Sequence, residues 1–314
     1  MRGFRAVGVA VALAWLAGCA VPQAPKESSA PLVTKVRQWQ EQGRRLLNQG
    51  EWELAKSHFE DARRLAESLD DLPGAVEALN NLGAIAVQER RGDEAVLLHR
   101  RALGLAEETR QPPLILQSLV RLGAALQVTG HSSEAQERYQ RALSLARESG
   151  DRSQEAVVLN NMGLLEQRAG DLSKAAGSFQ AALAINQTLN AKREWAANLQ
   201  NLGLVAEAQG QLEEAQRQFE SALELDKSTE HQLAIAGDLA ALGRILEKQG
   251  KKDAALSYYQ RAYWSFRALE DTKRAKDIFE KARILARELD RNEEVHSLER
   301  EHKSSQTVPM ETPQ

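Results

Sequence analysis

One cysteine occurs in 314 residues. A single thiol, Cys19, cannot close an intramolecular disulfide, so the fold must rest on packing even in an oxidising compartment. Aromatic residues make up only 5% of the chain, against 42% hydrophobic residues overall. That excludes a thick core built on large rings and suits a helical array built on Ala and Leu. No sign of charge dominates: the net charge is −3, which offers no broad basic surface for nucleic acid. The longest apolar run, Ala6 to Leu16, has 11 residues and is too short to span a bilayer as a helix. His58, His99, His131, His231, His296 and His302 show no zinc-ligand spacing and no His-Glu-x-x-His pair. No metal and no other cofactor is therefore expected. The glycines serve turns and helix contacts rather than a phosphate loop, and the serines have no nucleophile-elbow context. The chain is expected not to be an enzyme.

What the chain does have is a repeat of 40 residues. A glycine recurs at Gly43, Gly83, Gly123, Gly163, Gly203 and Gly243, and follows an apolar residue at every position but the first. One alanine recurs from Ala55 to Ala255 and a second from Ala62 to Ala262 at the same spacing. Between them stands a ring: Phe59, His99, Tyr139, Phe179, Phe219 and Tyr259. Six registers pass without an insertion, and repeats at such a period decide the fold before any other signal. At 100° per residue, Leu79, Leu82, Gly83 and Ala86 form one stripe of a helix. A glycine inside a helix costs about 1 kcal/mol relative to Ala, and close approach of a second helix is the compensating gain. The small alanines leave room on that second helix and the ring fills the gap. Gly50, Gly130, Gly170, Gly210 and Gly250 fall in the turn within each unit, where a helix C-terminus favours a left-handed residue. The second unit has Arg90-Arg91-Gly92-Asp93 there instead. Asp93 and Asp171 are placed to cap the second helix of their units, and Asp70-Asp71 reads as a cap between units. His99, in the ring slot, is expected to be a packed core histidine.

On these residues the chain resembles the tetratricopeptide repeat family, whose pattern is a large residue, two spacers, Leu-Gly, then Ala-x3-aromatic-x2-Ala. Here it stands as Leu199-x2-Leu202-Gly203 and Ala215-x3-Phe219-x2-Ala222. Units of 40 residues with Leu-Asn-Asn-Leu-Gly look most like the kinesin-light-chain and Leu-Gly-Asn-repeat subclass. The usual Tyr after Leu-Gly is replaced by Ala86, Leu126, Glu166, Ala206 and Leu246. The resemblance implies an all-α, right-handed solenoid of six helix-turn-helix units over residues 35–290. A capping helix from Asp271 to about Leu289 closes it, since Phe279 and Ala282 keep the core slots but Arg283 replaces the glycine. Glu293 to Lys303 is charged with helical potential, and residues 291–314 read as a charged helical or disordered tail.

At the other end, Arg2 and Arg5 precede the apolar run, and Leu16-Ala17-Gly18-Cys19 follows it. This resembles the lipobox of bacterial lipoproteins, with residues 1–18 as signal peptide. The resemblance implies cleavage before Cys19, lipidation of its thiol by chains such as palmitate, and membrane attachment through them. Ala20 follows the cysteine, with no Asp there, which by the family's sorting rule favours the periplasmic face of the outer membrane. Residues 20–34 read as a Pro/Ser/Ala tether.

The face of the first helix opposite the packed stripe carries Asn80 and Asn81, Asn160 and Asn161, and Gln200 and Asn201. A carboxamide donates to and accepts from a peptide backbone at once, and such residues are the subclass's binding positions along a concave groove. Alternatively these side chains bridge adjacent helices. Arg44, Arg168, Arg244 and Lys248 are basic candidates on that side and Glu207 and Glu247 acidic ones, so no one-signed ligand is indicated. Tyr258 to Phe266 is an aromatic cluster at core-like helical spacing. The expectation is a membrane-anchored scaffold or assembly adaptor that binds envelope proteins through extended segments and no nucleic acid. The alternatives are a self-associating structural protein and an accessory factor for glycan or polysaccharide export.

Overall fold

The computed structural model describes residues 30–304, which form fourteen α-helices and, among the described residues, no strand. The first helices of successive units are α1 (Ala30–Asn48), α3 (Leu72–Gln88), α5 (Pro112–Val128), α7 (Arg152–Arg168), α9 (Lys192–Ala208), α11 (Gln232–Lys248) and α13 (Thr272–Glu288). The second helices are α2 (Trp52–Ser68), α4 (Gly92–Thr109), α6 (Ser132–Glu148), α8 (Leu172–Thr188), α10 (Leu212–Ser228), α12 (Lys252–Ala268) and α14 (Asn292–Ser304). Each helix packs on the next in the chain. First helices also touch one another, α1 on α3, α3 on α5 and α5 on α7, so they line one continuous inner face.

The 40-residue repeat resolves into a 20-residue rhythm of helix and turn. A residue with positive φ stands at each of positions 50, 70, 90 and onward to 290. At the first turn the Gly50 N–H donates to Leu47 O (3.1 Å) and the Glu51 N–H to Leu46 O (2.9 Å). That pair of bonds satisfies carbonyls that the helix end would otherwise leave open. Asp71, Asp151 and Asp271 start first helices, each accepting from the backbone N–H three residues on (2.9–3.1 Å). The two expected second-helix caps differ. α4 begins at Gly92, so Asp93 lies inside its first turn, where a carboxylate favours the positive helix end. Asp171 occupies the N-cap position, but its carboxylate takes Lys174 instead of a backbone N–H.

Each repeat glycine lies against its ring. A Cβ built on Gly83 would meet His99 at 2.6 Å, and one on Gly163 would meet Phe179 at 2.6 Å. The ring edge therefore sits directly on the backbone of the first helix, which explains why six units keep a helix-weakening residue. Ala55, Ala62, Ala95, Ala102 and their equivalents through Ala262 are fully buried around these rings.

The C-terminal end is a seventh helix pair rather than one capping helix with a tail. Val295 of α14 takes the first alanine slot and is buried. In the glycine slot stands Arg283 and in the ring slot Glu299, 3.9 Å apart, with Arg287 also on Glu299 at 2.8 Å. The last unit thus replaces glycine-on-ring packing with an ion pair that tolerates water. At the N-terminal end α1 starts at Ala30, so residues 30–34, read as tether, are helical. Pro31 fits there because the first helical N–H groups have no partner inside the helix. Residues 1–29, with the signal peptide and Cys19, and residues 305–314 lie outside the described residues.

Candidate inner-face binding site

The six carboxamides expected to line a groove split into two sets. Asn80 is only 1% exposed. Its Nδ2 donates to Ser118 Oγ (3.1 Å) and its Oδ1 faces His99 Nδ1 (3.0 Å). It is a buried bridge and not a peptide contact, because every polar atom is already satisfied inside the protein. Asn160 Oδ1 accepts from Asn198 Nδ2 (3.0 Å) and Asn201 Nδ2 (2.9 Å). Gln200 Nε2 donates to Asp226 Oδ2 (3.0 Å) and Asp238 Oδ1 (2.9 Å). Asn160, Gln200 and Asn201 are half-buried and tied across repeats. Asn81 and Asn161 are half-buried as well.

The cross-repeat bonds follow one rule. Asn80 to Ser118, Asn160 to Asn198 and Gln200 to Asp238 each span 38 residues and link one first helix to the next. The carboxamide row thereby fixes the stacking of neighbouring units. A second-helix residue joins in twice. Asn186 Nδ2 donates to Asn198 Oδ1 (2.7 Å), and 40 residues later Asp226 stands beside Asp238, bridged by Gln200. The trio Asn160, Asn186, Asn198 and the trio Gln200, Asp226, Asp238 are the same site in successive repeats, neutral in one and acidic in the other. The sequence expectations missed Ser118, Asn186, Asn198, Asp226 and Asp238. Their signal was present: at 40-residue spacing Asp238 aligns with Ala78 and Val158, and Asp226 with Ala66, Ala106 and Ala146.

Each trio adjoins a cavity on the inner face. The first, about 190 Å³, is lined by Val157, Asn160, Ala197 and Asn198 among others. The second, about 330 Å³, is lined by Gln200, Leu204, Gly237, Asp238, Arg244 and Ile278 among others. Apolar side chains lie open between the carboxamides: Val157 and Leu204 are each 37% exposed.

The electrostatics are uneven along this face. Burial, and then the charge of Asp226, pushes the Asp238 carboxyl up to about 8, and burial raises Asp226 too. Burial and the nearby Arg121 lower His99 to about 4, which keeps its ring neutral. The surface charges are largely paired: Arg44 with Glu77, and Arg244 (2.7 Å) and Lys248 (2.8 Å) both with Glu207. Tyr259 Oη donates to Glu247 (2.6 Å), and Arg168 reaches the Gln127 carbonyl at 3.5 Å. Of the aromatic cluster, Tyr259, Tyr263 and Phe266 are core residues and Trp264 is exposed. Among the described residues no group of three His, Cys, Asp or Glu could hold a metal ion, and no helix is long and apolar enough to cross a membrane.

No curated protein matches the chain in sequence. Solved structures resemble it at low identity and so share its fold. BtubC (BKLC) from P. vanneervenii is 20% identical with a TM-score of 0.59, over 78% of this chain and 93% of that one. A Rap protein complexed with competence and sporulation factor is 16% identical with a TM-score of 0.60, over 82% and 76%. A Podosopora anserina protein described by its kinesin-light-chain-type, nearly identical TPR-like repeats is 18% identical with a TM-score of 0.53, over 63% and 98%. The sequence profile described as tetratricopeptide repeat matches residues 41–108, 114–188 and 195–263, well over half of the chain. With the glycine-on-ring pairs and the stacked helix hairpins, this makes the chain a member of the tetratricopeptide repeat family.

Proposed function

We infer that this protein is a non-enzymatic scaffold, anchored to the periplasmic face of the outer membrane through lipid on Cys19, that holds extended segments of envelope proteins along its first helices. The observation that carries the scaffold reading is the repetition on the inner face. Two cavities recur at equivalent places in successive repeats, with half-exposed Asn161, Leu164, Asn201 and Leu204 beside them. A partner lying along α7, α9 and α11 meets cavity and carboxamide in succession over two repeats, which suits an extended chain. The Rap protein, a structural neighbour, is complexed with competence and sporulation factor, and such a complex is what a shared use of the fold would give. The anchor and the compartment are supported by sequence only: Arg2 and Arg5, the apolar run, Leu16-Ala17-Gly18-Cys19 and the Ala20 that follows.

Crosslinked capture from envelope extract tests this with the lipidated chain. Wild type is expected to retain a discrete partner, and Leu164→Glu with Leu204→Glu to lose it by tenfold or more. Equal capture by both would move the site off the inner face, and capture of this chain alone would favour self-association. Cys19→Ser is expected to abolish incorporation of labelled palmitate and release the protein from membranes.

A further inference from the structure

The acidic trio has no structural need to be acidic. One repeat earlier the same position is held by Asn160, Asn186 and Asn198, which give the same cross-repeat bridging without charge. Replacing two of those amides by Asp226 and Asp238 puts two carboxyls, each 1% exposed, side by side. Burying ionisable groups is costly unless something pairs with them. Asp238 Oδ2 has no hydrogen-bond partner, and Asp226 Oδ1 has only the His231 ring, with Nδ1 at 3.4 Å. The remedy within the protein is a proton held between the two carboxyls.

Of this pair, Asp238 stands in the wall of the larger cavity, about 330 Å³, and Asp226 lies outside the lining, linked to the wall residue Gln200. Gly237 lies in the same wall. A Cβ placed on it would meet nothing within 4 Å, so no close packing requires a glycine there. It weakens α11 by about 1 kcal/mol, and its structural effect is to keep the cavity open. The equivalent slots in the two preceding repeats hold Val157 and Ala197.

We propose that this cavity is a subsite for a basic side chain, Arg or Lys, of a bound peptide segment, whose cationic head sits on Asp238 and Asp226 in place of their shared proton. The aliphatic stem would lie on Leu204 and Ile278. The proton leaves to solvent as the cation enters, so the pair goes from one charge to two only when the ligand compensates it. Two cationic residues, Arg244 and Lys281, share the cavity wall, and both are engaged with other groups. Arg244 on α11 is held by Glu207 on α9, which also takes Lys248. Lys281 on α13 lies over the Tyr259 ring at 5.8 Å. Arg193 on α9 and His231 at the start of α11 act on Asp226. The subsite deepens the scaffold reading of the inner face by naming what the partner presents there.

The test uses the full chain and small probes, so it does not depend on finding the partner. Nα-acetyl-arginine amide and Nα-acetyl-lysine amide are compared with neutral Nα-acetyl-citrulline amide, which keeps the shape of arginine. The cationic probes are expected to shift the Leu204 and Ile278 methyl resonances and to bind at least tenfold more tightly than citrulline. Affinity should rise about tenfold per pH unit up to pH 8, because only the deprotonated pair accepts the cation. Calorimetry in buffers of different ionisation enthalpy should show proton release on binding. Asp226→Asn with Asp238→Asn copies the neutral trio and stays folded, yet should lose the preference for cations. Gly237→Val, with its side chain in the cavity, should lose binding of all three probes. Equal binding of arginine and citrulline, or cation binding that survives the double Asn variant, would overturn the proposal. Cation binding without any captured partner would leave the subsite standing and count against the scaffold.

Discussion

Single residues decide whether the repeat packs. The six glycines under the rings are kept for space and not for flexibility. Ala is the better helix former by about 1 kcal/mol, yet a Cβ at Gly163 would sit 2.6 Å from Phe179. Gly163→Ala is therefore expected to destabilise the chain by about 1–3 kcal/mol in urea unfolding. A gain in stability would show that the ring moves freely. Two buried groups give opposite pH responses. Asp238 is held at about 8 against an ordinary 3.8, so the folded chain keeps a proton that the unfolded chain gives up. Stability from that proton is complete below 3.8 and is lost as pH rises through 8. His99 is lowered to about 4 from 6.5. Its contribution is present above 6.5 and lost as pH falls through 4. Melting temperatures across pH 4–9 are expected to fall on both sides. Asp238→Asn should flatten the alkaline side only. His99→Phe should flatten the acid side while costing about 1–3 kcal/mol at neutral pH, because Asn80 loses its partner.

Turns set the rhythm at the scale of elements. The left-handed residue is glycine in five of the seven turns within units, at 50, 130, 170, 210 and 250, with Arg90 and Asp290 in the other two. Between units it is mostly a side-chain residue: Asp70, Arg110, Asn190, Glu230 and Glu270, with Gly150 the exception. A non-glycine residue there costs roughly 1–2 kcal/mol. Arg90→Gly and Glu230→Gly are expected to raise stability by about 1 kcal/mol each in chemical denaturation, and Gly170→Ala to lower it similarly. No gain at either position would mean that the side chain makes a compensating contact. The expected capping of second helices by Asp93 and Asp171 was not found, whereas Asp71, Asp151 and Asp271 cap first helices.

For the whole molecule, stability is a sum over neighbouring units. The interfaces are not alike: three carry polar bridges at the 38-residue spacing, while at two others the same slots are apolar, Val120 and Val158 sharing one hydrophobic cluster and Ala240 and Ile278 another. The seventh hairpin covers Tyr263, whose ring lies 5.8 Å from that of Phe279 and tilted 45° to it. Removing residues 271–314 should uncover the aromatic face of α12. Hydrogen exchange is expected to speed up in α11 and α12 and to stay unchanged in α1 to α6. Uniform acceleration would show that the array unfolds as one unit.

The sequence by itself determined the helix-turn-helix repeat, its 40-residue period and the pairing of glycine with ring in six units, while the seventh pair and the start of α1 at Ala30 emerged only in the fold. The repeated features depend on contacts within one unit, and a strict period exposes them. It also marked the residues of the inner face, because helical phase alone separates the packed stripe from its opposite side. What only the tertiary structure decided is how those residues are used. Asn80 and Asn81 are neighbours in an identical-looking dipeptide, yet the pitch of stacking buries one against Ser118 and His99 and leaves the other half-buried on the face. The acid pair was hidden for the same reason. Asp226 and Asp238 belong to different helices, and only the docking of α10 against α11 brings their carboxyls together out of reach of water.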